Sequence, residues 1–282
     1  MQRRFFRAGE ELSILGFPGL MLAGLDRSSA GRLVGEACEA GINYFDSAPV
    51  YGDGEAERML GKVIAPYRAG VFLASKTLQR NAAGARKELE ESLRSLRTER
   101  LDLYQFHALS EPEEVERLLA PGGAAESLVR AREEGKIRFI GCSAHTARAA
   151  LLMLDRCPLD SIVFPINFVC YSRGDFGAAV LQRARELGVA RLAVKAMALT
   201  RRGRRRDTYP NCWYQPVEDP VLADQALRFT LSEDVTSVLP PADAVLFRLA
   251  VELSSTFEHL DPAARRELLE KGRGLRPFMP LR

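Results

Sequence analysis

Short apolar runs alternate along the chain with longer amphipathic stretches. The apolar runs lack the polar alternation of a half-exposed strand, which is typical of strands covered on both faces. In the stretches between them, apolar residues such as Leu89, Leu93 and Leu96 recur three and four positions apart, and this spacing predicts amphipathic helices. The predicted strands span residues 13–16, 41–46, 71–76, 101–106, 136–142, 161–164, 190–195 and 236–239.

Glycine, proline and capping residues delimit the elements between these strands. They predict helices that begin at residue 29, after residue 53 or 54, at residue 81 and at residue 242. Further helices are predicted over 146–154, 174–187, 219–231 and 262–270. Residues 112–134 are predicted to be helical with a break at 121–123. Residues 4–13 predict a β-hairpin that turns near Ala8 and Gly9, whereas 200–217 predicts a long irregular loop.

Eight strand and helix pairs in one chain of 282 residues predict an α/β protein, and favour a closed barrel over an open sheet. We therefore expect an eight-stranded parallel β/α (TIM) barrel. Residues 1–282 are expected to form a single domain, with the short N-terminal β-hairpin and an extra C-terminal helix as additions.

Composition is that of an ordinary globular protein, with 46% hydrophobic and 27% charged residues. No apolar run approaches membrane-spanning length, and the first residues lead into the acidic pair Glu10 and Glu11, not into a signal-peptide core. We expect a cytoplasmic protein with no membrane partner. The five cysteines include no Cys-x-x-Cys pair and no histidine at ligand spacing, so reduced thiols and no metal site are expected.

The net charge of +3 depends on five arginines between Arg201 and Arg206, without which it would be about −2. The chain is therefore not broadly basic, and no nucleic-acid surface is predicted. Three interpretations of this arginine run stay open: a solvated loop, a clamp for a cofactor pyrophosphate, or a site for an anionic substrate. Trp213 and Tyr214 follow it closely and are predicted to line a pocket or to anchor the loop.

Polar side chains stand where three successive predicted strands end. Asp46, Lys76 and His107 terminate the second, third and fourth strands, and Tyr51 lies in the loop after Asp46. The carboxyl ends of barrel strands carry the chemistry of such folds, and neighbouring strands lie about 5 Å apart. Each residue alone also fits a structural role, as a cap, a solvated lysine or a core histidine. Their coincidence at one edge predicts a site.

This set of side chains suits proton delivery to a carbonyl group. A phenol has a pKa near 10, and an adjacent ammonium is expected to lower the pKa of Tyr51 towards the working range. Lys76 needs a carboxylate to hold it, which Asp46 can supply. A neutral His107 can polarise a carbonyl oxygen, while a hydride arrives from elsewhere.

Four segments resemble the aldo-keto reductase family. They read Gly-Ile-Asn-Tyr-Phe-Asp-Ser-Ala-Pro-Val-Tyr-Gly at 41–52, Leu-Ala-Ser-Lys-Thr at 73–77, Arg-Leu-Asp-Leu-Tyr-Gln-Phe-His at 100–107 and Gly-Lys-Ile-Arg-Phe-Ile-Gly-Cys-Ser at 135–143. The resemblance runs from about residue 10 to 240. It implies an eight-stranded barrel that reduces aldehydes or ketones with NADPH, in which Tyr51 donates the proton and Lys76, Asp46 and His107 support it.

The resemblance favours NADP(H) as the cofactor, although no residue of the sequence distinguishes a preference for NADP(H) from one for NAD(H). The implied cofactor contacts are Ser143, Asn167, Lys195, Met197, Pro240 and Arg248. The family holds the nicotinamide carboxamide with a Ser-Asn pair and a later Gln, whereas here Ala144 and His145 follow Ser143, and Asn167 is the polar residue that follows the sixth strand. Its adenosine phosphates bind at helix N-termini after the seventh and eighth strands, where backbone amides favour anions.

The leading hypothesis is thus an NADPH-dependent reductase of a small-molecule carbonyl substrate, with a monomer as the default state. A Schiff-base lyase or aldolase is the alternative, because Lys195 ends the seventh strand and burial can depress the pKa of an amine nucleophile. A slow-turnover nucleotide-sensing subunit is the third, suggested by the altered Ser-Ala-His segment and the missing Gln.

Overall fold

Twelve strands are present in the computed structural model, which describes residues 1–173, 176–202 and 208–279. In chain order the strands are β1 (Arg3–Arg7), β2 (Glu10–Ser13), β3 (Phe17–Pro18), β4 (Tyr44–Asp46), β5 (Phe72–Thr77), β6 (Leu101–Leu109), β7 (Ile137–Ala144), β8 (Ser161–Pro165), β9 (Ala190–Val194), β10 (Ala198–Arg201), β11 (Tyr214–Pro216) and β12 (Ser237–Leu239).

Helices connect the strands and cover the outside of the sheet. They are α1 (Arg27–Glu39), α2 (Glu55–Val63), α3 (Ala82–Leu96), α4 (Pro112–Leu119), α5 (Ala124–Glu133), α6 (Ala147–Arg156), α7 (Phe168–Tyr171), α8 (Ala178–Glu186), α9 (Pro220–Ser232), α10 (Ala244–Ser255) and α11 (Pro262–Arg273). None of the helices in the described part of the chain has the length and apolar character needed to cross a membrane.

Eight of the strands form one parallel sheet in the order β12-β9-β8-β7-β6-β5-β4-β3. The two ends of this sheet meet, because Leu15 pairs in parallel with Val238 and the amide of Gly16 donates to the carbonyl of Val238 at 2.9 Å. The predicted eight-stranded β/α barrel is therefore confirmed, as are the N-terminal hairpin β1-β2 and the final helix α11.

The first barrel strand differs from its prediction. Ser13 pairs with Arg3 in the hairpin, and the barrel strand is the two-residue segment Phe17–Pro18. The residues from Ile14 to Phe17 are apolar apart from Gly16, so periodicity along the sequence does not show where the hairpin ends and the barrel begins.

The segment 200–217 is also more regular than predicted. Strands β10 and β11 form an antiparallel pair in which Ala198 lies opposite Pro216 and Arg201 opposite Tyr214. Within the arginine run, Arg201 and Arg202 belong to the described chain, and residues 203–207 lie outside it. The short helix α7 was likewise not predicted, since four residues are too few to show a helical period.

The hairpin closes one end of the barrel. Phe6 and Leu12 are buried inside the ring of strands with Phe72, Phe139 and other apolar side chains of the barrel interior. The ring centroid of Phe6 lies 5.0 Å from that of Phe72 and 5.2 Å from that of Phe139, in edge-on contacts. This apolar plug lies at the amino ends of the strands and fills the interior there.

Close packing of α2 against α3 requires a glycine. A Cβ on Gly61 would lie 2.2 Å from the carbonyl oxygen of Ser95, and backbone cannot yield as a flexible side chain does. We expect Gly61→Ala to lower the free energy of unfolding by about 1–3 kcal/mol, the usual cost of overpacking. Urea denaturation followed by circular dichroism measures this loss.

Gly31→Ala is the matched control in α1. There the added Cβ would meet no atom nearer than 3.9 Å, and alanine in a helix interior is favoured over glycine by roughly 0.5–1 kcal/mol. The two substitutions should therefore move the urea midpoint in opposite directions. A Gly61→Ala protein as stable as the unsubstituted chain would contradict the packing argument.

Candidate active site

A cavity of about 220 Å³ opens at the carboxyl ends of the barrel strands. The four residues predicted to form a site lie together in its wall, with further side chains from the later strands and loops. The polar and aromatic lining includes Asp46, Tyr51, Lys76, His107, Ser143, His145, Lys195, Asn211, Trp213 and Tyr214.

A larger groove of about 1140 Å³ lies at the opposite end, beside the hairpin. It is open to solvent, and several of its charged residues form ion pairs with one another. Arg68 and Arg138 both contact Asp102, and Arg138 also contacts Glu10. Because barrel chemistry belongs at the carboxyl ends of the strands, we take the smaller cavity as the candidate active site.

Asp46 ends β4 and is almost fully buried. One carboxylate oxygen accepts a hydrogen bond from Lys76, and the other accepts one from the hydroxyl of Tyr44 at 2.9 Å and one from the amide of Gln105 at 3.0 Å. Tyr44 and Gln105 were missed from the sequence. Each lies two residues before a predicted site residue, Asp46 or His107, and side chains two apart on a strand share a face.

Lys76 lies on β5 and is 2% exposed. Its ammonium donates to Asp46, to the carbonyl oxygen of Ser47 at 2.9 Å and to the hydroxyl of Tyr51 at 3.2 Å. Burial lowers the pKa of Lys76, but the charge of Asp46 and the hydrogen bonds to Asp46 and Tyr51 outweigh it, and the net shift is upward. The lysine is therefore held protonated at neutral pH.

The pKa of Tyr51 is raised, so the expected lowering is wrong in direction. Burial is the largest cause and disfavours the phenolate; Lys76 opposes this shift, while Asp46 adds to it. The ammonium is already paired with Asp46, which offsets its field at the phenol. Tyr51 consequently carries its proton at neutral pH, with Lys76 beside its oxygen.

His107 lies on β6, which continues to Leu109 instead of ending before the histidine as predicted. Its ring is edge-on to that of Tyr51, with 5.9 Å between centroids. Burial, followed by the charge of Lys76, lowers the pKa of His107 to about 2. Its Nδ1 is buried with no hydrogen-bond partner among the described residues. The imidazole is therefore neutral and faces the cavity.

Residues 15–237 match the Aldo/keto reductase family. The chain belongs to the aldo/keto reductase family.

Individual relatives match this chain over only part of its length. The aldo-keto reductase YhdN of Bacillus subtilis is 34% identical over 161 residues, which are 53% of this chain and 47% of that protein. The aldo-keto reductase yakc [NADP(+)] of Schizosaccharomyces pombe is 32% identical over 131 residues, 40% of this chain and 37% of that protein. The chain spans about half the length of the first of these relatives, and less of the second.

The fold itself is shared with a solved structure along nearly all of the chain. The aldo-keto reductase AKR11C1 from Bacillus halodurans (holo form) superposes with a TM-score of 0.75 at 23% identity, covering 96% of this chain and 96% of that chain. At this identity the likeness shows the fold alone.

Three of the six cofactor contacts that the family resemblance implies lie at the cavity. Ser143, Lys195 and Pro240 line it, and the hydroxyl of Ser143 accepts the amide proton of Ala108 at 2.8 Å. The lining thus combines a hydroxyl with the apolar residues Leu239 and Pro240, and this combination fits the nicotinamide ring of NADP(H), which needs a flat apolar surface and few polar contacts.

Asn167, Met197 and Arg248 do not line this cavity. The amide of Asn167 is fully buried and bonded to backbone groups on both of its ends, including the carbonyls of Lys195 and Ala198. Met197 is a core side chain, and Arg248 is an exposed residue of α10 that pairs with Glu36.

The starts of α9 and α10 also differ from the expected phosphate sites. The carboxylate of Asp219 accepts the amide of Leu222, and that of Asp243 accepts the amides of Val245 and Leu246 at 2.9 and 3.0 Å. Amides that are already capped by a carboxylate are not available to a phosphate, and the acidic caps repel one. The described residues thus fit the nicotinamide end of the cofactor, and the helix starts do not fit its phosphate end.

His107 is expected to stay neutral across the range in which a solvated histidine titrates. Because its pKa is lowered to about 2, its NMR chemical shifts should not move between about pH 8 and pH 5. In the unfolded chain the same residue takes up a proton below about pH 6.5. The free energy of unfolding should therefore fall as the pH drops below that value.

Histidine-selective labelling makes the measurement direct, since the chain has three histidines. Comparison with His107→Gln assigns the resonance, and that variant should show a shallower loss of stability on acidification. Titration of the assigned resonance at about pH 6.5 would contradict the buried, neutral imidazole.

Proposed function

We propose that this protein reduces an aldehyde or ketone to an alcohol, with NADPH as the reductant and Tyr51 as the proton donor. The observation that carries the proposal is the buried ammonium of Lys76, which contacts both Asp46 and the Tyr51 hydroxyl at the wall of the cavity. Family membership and the NADP(+) in the name of the yeast relative support the same reaction and cofactor.

When bound, NADPH supplies a hydride for the carbonyl carbon. The residues of this chain then account for the proton. The Tyr51 O–H bond breaks, its proton goes to the carbonyl oxygen, and the alcohol forms while negative charge remains on the phenol oxygen. Lys76, 3.2 Å from that oxygen, stabilises the charge as it develops. The proton is present beforehand because the pKa of Tyr51 is raised.

Asp46 and His107 act on the geometry of this step. Asp46 fixes the ammonium of Lys76, and is itself held by Tyr44 and Gln105. His107 stays neutral, so one ring nitrogen carries a proton that it can donate to the carbonyl oxygen without adding a competing charge. In support of this role, Nδ1 of the ring has no hydrogen-bond partner among the described residues.

Tyr51→Phe should lower kcat by a factor of roughly 10² to 10⁴, the usual contribution of general acid catalysis, while the binding of NADPH persists. The substitution removes the hydroxyl and keeps the ring beside Lys76. Steady-state rates on a reactive dicarbonyl such as methylglyoxal, with NADPH titration by fluorescence, measure the two effects. Tyr67→Phe, a half-buried tyrosine away from the cavity, is the control. An unchanged kcat in folded Tyr51→Phe would rule out the proposed proton donor.

Lys76→Met should lose turnover to a similar degree, because the developing phenolate then has no adjacent cation. It should also lose about 3–5 kcal/mol of stability, since Asp46 is left as a buried charge without its partner. Adding Asp46→Asn removes that buried charge. The double variant should regain stability in urea denaturation without regaining turnover, and recovery of both would show that the loss of turnover reflected folding alone.

The structure also gives the Schiff-base alternative a specific basis. Burial lowers the pKa of Lys195 to about 8, so part of this amine is unprotonated near neutral pH and can attack a carbonyl. Borohydride treatment of protein and methylglyoxal without NADPH, followed by peptide mapping, tests it. An adduct at Lys195 would favour this chemistry, whereas NADPH-dependent turnover with no adduct would reject it.

A further inference from the structure

Tyr51 is tied through its backbone to the start of helix α2. The amide of Ala56, in the first turn of that helix, donates to the carbonyl oxygen of Tyr51 at 3.2 Å. Between the two, Gly52, Asp53 and Gly54 have φ values of 56°, 49° and 80°, so three successive residues lie in the left-handed region. The linker is thus a compact turn, and the position of the phenol follows that of α2.

The same turn of α2 carries a glutamate that points into the protein. Glu57 is 1% exposed, and its Oε1 accepts a hydrogen bond from the buried hydroxyl of Ser75 at 2.6 Å. Ser75 precedes Lys76 on β5, and successive side chains of a strand point to opposite faces. The contact therefore joins α2 to the outer face of the strand whose inner face presents Lys76.

The helix dipole does not account for the burial of Glu57. An acid in the first turn stabilises a helix equally well when it is exposed, as Glu55 is one turn position earlier. Burying a carboxyl group costs free energy that an apolar side chain would not. Burial raises the pKa of Glu57, and the hydroxyls of Ser75 and Ser92 only partly oppose that shift. The hydrogen bond to β5 is what the buried position provides.

We propose that Glu57 is a positioning residue: by holding α2 against β5, it sets the distance between the Tyr51 hydroxyl and the Lys76 ammonium. The backbone of Tyr51 is bonded to α2, and Glu57 of α2 is bonded to Ser75. Ser75 is the covalent neighbour of Lys76, whose Nζ lies 3.2 Å from the Tyr51 oxygen, so the contacts form a closed ring. The inference rests on the proposed function, because that distance decides how well the ammonium stabilises charge on the phenol oxygen.

Glu57→Gln and Glu57→Met separate the hydrogen bond from the rest of the side chain. Glutamine keeps an oxygen that can accept from Ser75, whereas methionine has a similar length and only a weak sulfur acceptor. We expect Glu57→Met to lower kcat for methylglyoxal by about 10- to 100-fold with little change in KM, the effect of a small misplacement of catalytic groups. Glu57→Gln should retain most of kcat. Glu55→Met, in the same turn but exposed, is the matched control and should leave kcat unchanged.

A double-mutant cycle distinguishes positioning from a general loss of structure. In a Tyr51→Phe background the phenol oxygen is absent, so Glu57→Met should cost little further turnover. Single-turnover rates measure the residual reaction, and melting curves report the folding of each variant. Ser75→Ala removes the same contact from the strand side and should give the same pattern even if Glu57→Met fails to fold. An unchanged kcat in both folded variants would overturn the proposal, as would the same fold loss with and without the Tyr51 hydroxyl.

A measurement without turnover separates this inference from the proposed function. In protein whose tyrosines are isotopically labelled at Cζ, the NMR resonance of Tyr51, assigned by its absence in Tyr51→Phe, reports contact with the ammonium. It should move in Glu57→Met and keep its place in Glu57→Gln and Glu55→Met. If no carbonyl compound is reduced but the resonance responds in this way, the reductase function fails and the positioning contact is supported. If methylglyoxal is reduced, and neither the resonance nor kcat responds to Glu57→Met, the positioning role alone fails.

Discussion

The ion pair between Lys76 and Asp46 is the constraint on which the arrangement of this barrel depends. Two charges inside a protein cost several kcal/mol of desolvation each unless their hydrogen-bonding capacity is filled. Here Asp46 accepts from Lys76, Tyr44 and Gln105, and Lys76 donates to Asp46, Ser47 and Tyr51. The side chains come from β4, β5, β6 and the loop after β4, so the pair is satisfied only when these strands keep their register.

That register also divides the barrel interior along its axis. At the amino ends the inward side chains are aromatic and aliphatic, and Phe6 of the hairpin packs on Phe72 and Phe139. Two residues further along β5, Ala74 lies next to Asp46, and two further still Lys76 lies next to Gln105. The apolar end is sealed without a ligand, and the polar end supplies the groups of the candidate active site.

The two lysines of the cavity show that a neighbouring carboxylate decides the direction in which the pKa of a buried lysine shifts. Both are buried, and desolvation lowers the pKa of each. Lys76 has Asp46 beside it and its net shift is upward, whereas Lys195 faces the ring of Trp213 and its pKa falls to about 8. Residue type alone therefore does not assign a role to a buried lysine; the nearest opposite charge does.

The sequence alone determined the repeat of strands and helices, the N-terminal hairpin, the final helix and the residues that line up at the strand ends, because these depend on local periodicity and on the shared edge of parallel strands. Tyr44 and Gln105 were within its reach by the same two-residue rule. The direction of the Tyr51 pKa shift could not be predicted from the sequence, since it depends on how far folding excludes water from the phenol.

Nor could the sequence show that the side-chain amide of Asn167 donates its hydrogen bonds to backbone carbonyls, or that Asp219 and Asp243 cap the helices expected to hold phosphate. Tertiary structure decided these points, because burial and hydrogen-bond partners come from chain segments far apart in sequence.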